Sequence, residues 1–244
     1  MKMRVARKLW RLTIIAFVLV ALICAWLVWT RGRPQDSPFT PLDLTQPVGM
    51  FTGRKLASLG DSTAECHTLL FRAGIRYEAL PPAGSDQCAY DNAVRFRPGG
   101  ALRISYPGRL DLACPVAAAL AVWEGQVVQP AAERHLHSRV TRVDHFGSYS
   151  CRRMYGRSTG DWSEHARANA IDVAGFRLTD GRRVSVVGDW NDGSPAEQAF
   201  LREVRDGACK LFATVLSPDY NAAHRDHLHL DQAARGEMGW RACR

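Results

Sequence analysis

Leu12 to Trp29 is a run of 18 residues in which only Thr13 is polar, and it splits the 244-residue chain into parts that need different solvents. A run of that length spans the hydrocarbon core of a bilayer with little tilt. Lys2, Arg4, Arg7, Lys8 and Arg11 precede it, and Arg31 and Arg33 follow. The larger positive cluster keeps the N-terminal side, residues 1–11, in the cytoplasm. Trp26 and Trp29 suit the far interface. A cleaved signal peptide has a shorter apolar stretch followed by a small-x-small site. This run ends Trp-Leu-Val-Trp and has no such site, and Ile23 before Cys24 does not suit a lipoprotein signal. The expectation is an uncleaved signal anchor over residues 12–29.

Thr30 to Gly49 carries Pro34, Pro38, Pro41 and Pro47 and reads as an extended linker, so a domain over residues 50–244 is expected beyond the membrane. Seven of the 32 basic residues and none of the 24 acidic ones lie in residues 1–33, which leaves the rest of the chain at +1. A nearly neutral domain has no basic face for nucleic acid. Cys24 sits in the apolar run. Cys66, Cys88, Cys114, Cys151, Cys209 and Cys243 remain, an even number without a C-x-x-C pair, which points to three disulfides in an oxidising compartment. Six cysteines allow 15 pairings, and proximity along the chain favours Cys66–Cys88, Cys114–Cys151 and Cys209–Cys243.

Helices and strands alternate irregularly. Residues 65–73 have helical spacing up to Gly74. Residues 102–106 and 110–114 read as a hairpin around Pro107-Gly108. Pro115 opens an apolar helix that resumes after Pro130. Residues 139–146, 168–178 and 183–187 read as strands, the last two joined by Thr179-Asp180-Gly181-Arg182. Pro195 opens an amphipathic helix with Phe200, Val204, Cys209 and Phe212 on one face. Residues 225–231 alternate strictly. The fold class is α+β, an antiparallel sheet with flanking helices.

Two stretches carry chemistry. In His224-Arg225-Asp226-His227-Leu228-His229-Leu230-Asp231, a strand would point His227, His229 and Asp231 one way and the leucines into the core. In Ser163-Glu164-His165-Ala166-Arg167-Ala168-Asn169-Ala170-Ile171-Asp172, Asp172 lies inside an otherwise apolar strand and needs a cation, a metal or donors. Together they supply two imidazoles and a carboxylate, a set that holds zinc with the fourth position left for water.

The pattern Ser-x-His-x-x-(small)-x-Ala-x-Asp followed by His-x-x-His-x-His resembles zinc peptidases of the D-Ala-D-Ala carboxypeptidase/lysostaphin/hedgehog type, with spacing nearest the penicillin-insensitive murein endopeptidases. The stretch from about Cys66 to Cys243, with Gly147-Ser148-Tyr149-Ser150-Cys151-Arg152, resembles the bacterial extensin-like C-terminal domain family. The resemblance implies a hedgehog/D-Ala-D-Ala-peptidase-like fold and one Zn2+ held by His165, Asp172 and His229. It implies that His227 lies beside the metal's water, and it gives Tyr149 and Arg152 a loose match to an upstream Tyr-Arg element. Ala168 stands where those peptidases usually have Gly, and Asp226 stands where the carboxypeptidases have a Glu base. The base is therefore His227 or Asp226. A regular strand would turn Asp226 away from His229, which favours His227.

On this reading His227 and Arg152 are catalytic, Arg152 stabilising an oxyanion or holding a carboxylate. His224 and Tyr149 touch substrate, and Asp231 and Ser163 support the ligands from behind. The expected protein is a single-pass protein of the inner membrane with its domain in the periplasm. It is a zinc peptidase acting on peptidoglycan, as DD-endopeptidase or carboxypeptidase. The competing expectations are a non-catalytic wall-binding module and a structural envelope domain with inert histidines.

Overall fold

The computed structural model describes residues 2–236 and 240–244. Residue 1 of the basic tail and residues 237–239 of the expected domain lie outside the described residues. The apolar run belongs to one helix, α1 (Lys2–Gly32), whose segment Ala6–Trp29 buries nothing against protein. It is long and apolar enough to cross a membrane, and a signal sequence carries the same signature.

Residues 30–49 are not an extended spacer. Gln35, Ser37, Leu42 and Leu44 are buried, and both leucines join the main core. The prolines stiffen this segment, but they do not stop alternating apolar side chains from docking on a neighbouring core.

The body begins with α2 (Thr52–Ala57) and α3 (Thr63–Arg72). A small antiparallel sheet follows, made of β1 (Ile75–Ala79), β2 (Ala93–Gly100) and β3 (Leu112–Ala113) in that order. The expected hairpin around Pro107-Gly108 does not form. Leu112 pairs with Val94 on β2, and Ser105 bridges to Arg142 instead. β2 takes β1 as its hairpin partner, so the partner of residues 110–114 lies earlier in the chain than the nearest β-like run.

Pro115 sits in the first turn of α4 (Cys114–Trp123), where its missing N–H costs nothing. α4 is buried nearly all round, continues through a π turn (Glu124–Val128) into α5 (Gln129–Leu136), and so forms the hub of the core. α7 (Pro195–Ala208) starts at a capping box of Ser194 and Glu197 and packs Phe200, Leu201 and Val204 inward. Trp123 donates its indole N–H to the Val204 carbonyl at 2.9 Å, and Phe200 meets Phe176 edge-on.

These helices cover one face of a larger sheet. Its strands are β4 (Val140–Gly147), β5 (Ala170–Leu178), β6 (Arg183–Ser185), β7 (Thr214–Leu216), β8 (Leu228–Asp231) and β9 (Ala242–Cys243). The spatial order is β4-β5-β8-β7-β9, with β6 also on β5. All pairs are antiparallel except β7 with β9. The architecture is α+β. Three strands of this sheet are shorter than expected, β5 because the 3-10 helix before it ends only at Ala168. After Ser185 the chain turns into α6 (Val186–Asp189), because the Ser185 hydroxyl accepts the Gly188 N–H and caps it. Residues 225–227 form a turn after a 3-10 helix (Ala222–His224), and β8 begins only at Leu228.

β5 and β8 set the functional face. Ile171, Val173, Leu228 and Leu230 enter the core, which by alternation turns Asp172, His229 and Asp231 to the other side. A bulge at Ala174, where Asp144 pairs with Gly175 and His145 with Val173, returns Phe176 and Leu178 to the core face.

The six domain cysteines form three disulfides, Cys66–Cys114, Cys88–Cys151 and Cys209–Cys243. Only the last follows proximity in sequence. α3 lies against α4, which brings Cys66 to Cys114 across 48 residues. The turn at Cys88 reaches the loop after β4 and binds Cys151 across 63 residues. Closing loops of this size contributes roughly 4 kcal/mol each in the chain-entropy account. The paired Cys88→Ser and Cys151→Ser variant is expected to lose about that much unfolding free energy in denaturant titration. Peptide mapping without reduction is expected to recover Cys88 with Cys151, and recovery of Cys66 with Cys88 would contradict this fold.

Candidate functional site

Three segments bring their side chains to one point. Asp172 on β5 lies directly opposite His229 on β8. His165 comes from a 3-10 helix (Glu164–Arg167) whose start is capped by Ser163, the hydroxyl accepting the His165 N–H at 3.3 Å. That helix ends at Ala168, which takes φ +56°. A left-handed backbone is the conformation glycine adopts at least cost, so Ala168 holds a position whose geometry favours Gly.

The hydrogen bonds fix which ring nitrogens face the centre. His165 Nδ1 lies 2.6 Å from the Ser148 carbonyl, which can only accept, so Nδ1 carries the hydrogen. His229 Nε2 lies 2.9 Å from an Asp231 carboxylate oxygen and donates to it. The inward atoms are then His165 Nε2 and His229 Nδ1, 3.2 Å apart. Asp172 oxygens sit 3.2 Å from the first and 2.9 Å from the second. In neutral rings these inward nitrogens are bare lone pairs, and lone pairs at this range repel unless a proton or a cation lies among them. Tetrahedral zinc at about 2.0–2.1 Å needs donors about 3.3 Å apart, so the three residues present fit that ion. His165, Asp172 and His229 are the described residues whose side chains could hold a metal ion.

Without metal, the cluster takes up a proton. Burial disfavours imidazolium at His229, but hydrogen bonds to Asp172 and Asp231 and their charges outweigh it, and its pKa is raised to about 9. Burial also works against the Asp172 carboxylate, but the hydrogen bonds and charges of His165 and His229 hold it well below the usual carboxylate range.

The remaining predicted residues fall into two groups. His227, although outside the strand, reaches the cluster, with Nε2 3.4 Å from Asp172 Oδ1 and Nδ1 2.9 Å from Asp226 Oδ1. Asp226 therefore orients His227. His224 is buried, donates Nδ1 to Asn221 Oδ1 at 2.8 Å, and lies 5.2 Å ring to ring from His227. Burial, followed by the neighbouring histidine charges, lowers its pKa to about 4, so it stays neutral. His227 and His224, with Arg152, Ser163 and Asp231, line a cavity of about 410 Å³. Tyr149 is not among the lining residues. Its hydroxyl donates to the Cys88 carbonyl at 3.0 Å and its ring meets Tyr90 edge-on.

Several residues in the wall or behind it carry no signal in the local motifs. The Ser148 carbonyl is backbone. Arg235 follows β8 and is held by Thr214, whose hydroxyl accepts from Nε and Nη2 at 3.2 and 2.6 Å. Tyr155 adopts φ +56° at the cavity wall, and Trp162 is stacked by Arg153 at 4.4 Å. Asn221 alone was legible, as an N-cap three residues before His224. Among the described residues, neither Arg152 nor Arg235 has an acidic partner, whereas Asp172, Asp231 and Glu164 are all engaged. Arg152 and Arg235 thus bring positive charge to the cavity wall that no described carboxylate pairs with.

The family model described as Extensin-like protein C-terminus matches residues 64–244, and the chain belongs to that family. Comparison with curated proteins and with solved structures found no match.

Two outcomes follow from the cluster's chemistry. The His229 contribution to metal-free stability is complete below its unfolded pKa of about 6.5 and is lost as pH rises through about 9. The melting temperature of chelator-treated protein is therefore expected to fall between about pH 7 and pH 10. Zinc replaces the proton, so its stabilising increment is expected to grow over that range. An unchanged melting temperature with zinc at about pH 8.5 contradicts the site. Asp231→Asn is expected to weaken zinc about 10- to 100-fold in competition with a chelating dye, with the fold retained.

Proposed function

We propose that this member of the extensin-like C-terminal family is a zinc-dependent peptidase anchored by α1 in the cytoplasmic membrane, with its domain in the periplasm. It hydrolyses stem or crosslink peptide bonds of peptidoglycan as a DD-endopeptidase or carboxypeptidase. One observation carries the reading: two imidazoles with fixed tautomers and a buried carboxylate converge at zinc-donor spacing, and a further histidine stands beside them. Three disulfides and the preceding apolar helix support a compartment outside the cytoplasm. That compartment and the motif resemblance together support a wall peptide as substrate.

A zinc ion held by His165, Asp172 and His229 supplies a Lewis acid that polarises the scissile carbonyl and acidifies water. The chain's own residues do the rest. His227 donates Nδ1–H to Asp226, which leaves Nε2 facing the cluster as a base. It takes a proton from the attacking water and passes it to the leaving amine. The low pKa of His224 keeps its ring uncharged beside that base. Arg152 and Arg235 supply fixed positive charge for the oxyanion or for a substrate carboxylate.

The test is digestion of purified sacculi by the zinc-loaded protein, with released peptides identified by mass spectrometry. Wild type is expected to yield new stem-peptide products. His227→Ala is expected to keep its zinc and slow turnover by about 10²- to 10⁴-fold, whereas His165→Ala and Asp172→Ala lose both metal and products. Sacculus binding without any new product assigns the domain to wall binding instead of hydrolysis.

A further inference from the structure

The expectation that residues 30–49 lift the domain away from the membrane fails, and its failure constrains where the domain sits. α1 stays helical to Gly32, and Gln35 is already buried in the domain. Three helical rises and three extended residues separate Trp29 from Gln35, a span of about 15 Å at most. The headgroup layer on one side of a bilayer is itself about 5–7 Å thick. The start of the domain is therefore tethered within or just above that layer.

The segment that follows is a rigid collar. Asp36 Oδ1 accepts the Met50 N–H at 2.7 Å, and the Gln35 carbonyl accepts the Phe51 N–H at 3.0 Å. Lys55 donates to Gln35 Oε1 and Thr40 Oγ1 at 3.3 and 3.1 Å, tying the collar to α2. Gly49 lies so close to Gln35 that a Cβ would sit 2.4 Å from its carbonyl carbon. Two large apolar side chains nevertheless project from this collar into solvent, Phe39 at 84% and Met50 at 75% exposure. Arg31 and Arg33 are exposed at the end of α1, Arg33 with Asp36 at 3.6 Å. Exposed cations at the end of a membrane-length helix, with exposed apolar side chains on the segment that follows it, match the composition of a surface that enters the membrane interface.

We propose that the collar docks on the lipid surface, with Phe39 and Met50 inserted at headgroup depth, so that the domain is held against the bilayer and does not swing on a tether. The proposal rests on the reading of α1 as a retained membrane anchor. Its occupant is the bilayer that α1 enters, because the collar is continuous with that helix and Arg31 and Arg33 complement anionic headgroups.

Site-directed spin labelling of the full chain in phosphatidylethanolamine/phosphatidylglycerol nanodiscs tests it. Cys24 is the free cysteine, so a label there reports the span itself. Phe39→Cys, Met50→Cys and Val187→Cys are labelled one at a time in a Cys24→Ala background, Val187 on α6 being the water-exposed reference. Labels at 39 and 50 are expected to collide more often with oxygen than with a water-soluble nickel chelate, the reverse of the label at 187. A label at 39 or 50 that behaves like the one at 187, with Cys24 at bilayer depth, overturns the docking and leaves the anchor standing. A water-exposed label at Cys24 overturns both.

Discussion

Asp172 on β5 and His229 on β8 face each other across a directly paired position, with carboxylate oxygen and ring nitrogen 2.9 Å apart. The pairing register makes this meeting obligatory. A slip of one residue would turn Asp172 into the core and Ile171 out of it, so the packing of Ile171, Val173, Leu228 and Leu230 holds the register. The site is thus specified by apolar alternation beneath it. The Ser148 carbonyl and the Asp231 carboxylate then set the outer hydrogens of His165 and His229, and the inner lone pairs are forced together. With neutral rings those lone pairs repel, and a proton or a cation among them relieves the repulsion.

The part of this site that was legible in sequence is the part carried by alternation and local caps. Asp172 in an apolar strand, His229 and Asp231 sharing a face, and Ser163 before His165 all express short-range periodicity, and the structure brings these residues together. His227 reached the site by another route than expected. It lies in the turn before β8, and Asp226 meets its Nδ1. Arg235 and Tyr155 were not legible, because they lie just outside the two motifs and reach the site by tertiary packing of loops, and Ser148 contributes a backbone carbonyl that no side-chain pattern marks. Tyr149 was placed by a loose motif match, and the structure puts it against Cys88 and Tyr90.

The same division runs through the fold. The helices opened by Pro115 and Pro195 were legible because a first-turn proline and apolar spacing are local signals. Long-range choices were not. Two of three disulfides join cysteines that skip over a nearer one, and β3 pairs back to β2. Residues 30–49 are not an extended linker, because the spacing of Leu42 and Leu44 packs both into the core in spite of the prolines. In place of an extended linker, the packed body begins within a few residues of the end of its apolar helix.

The central claim is that His165, Asp172 and His229 form a metal centre. The most direct measurement is metal content by mass spectrometry on the full chain, oxidised and purified in detergent, beside Asp172→Ala handled identically. The account predicts about one zinc per chain in the wild type and its loss in the variant. A wild-type protein that retains no metal after zinc is supplied and the excess removed would contradict it.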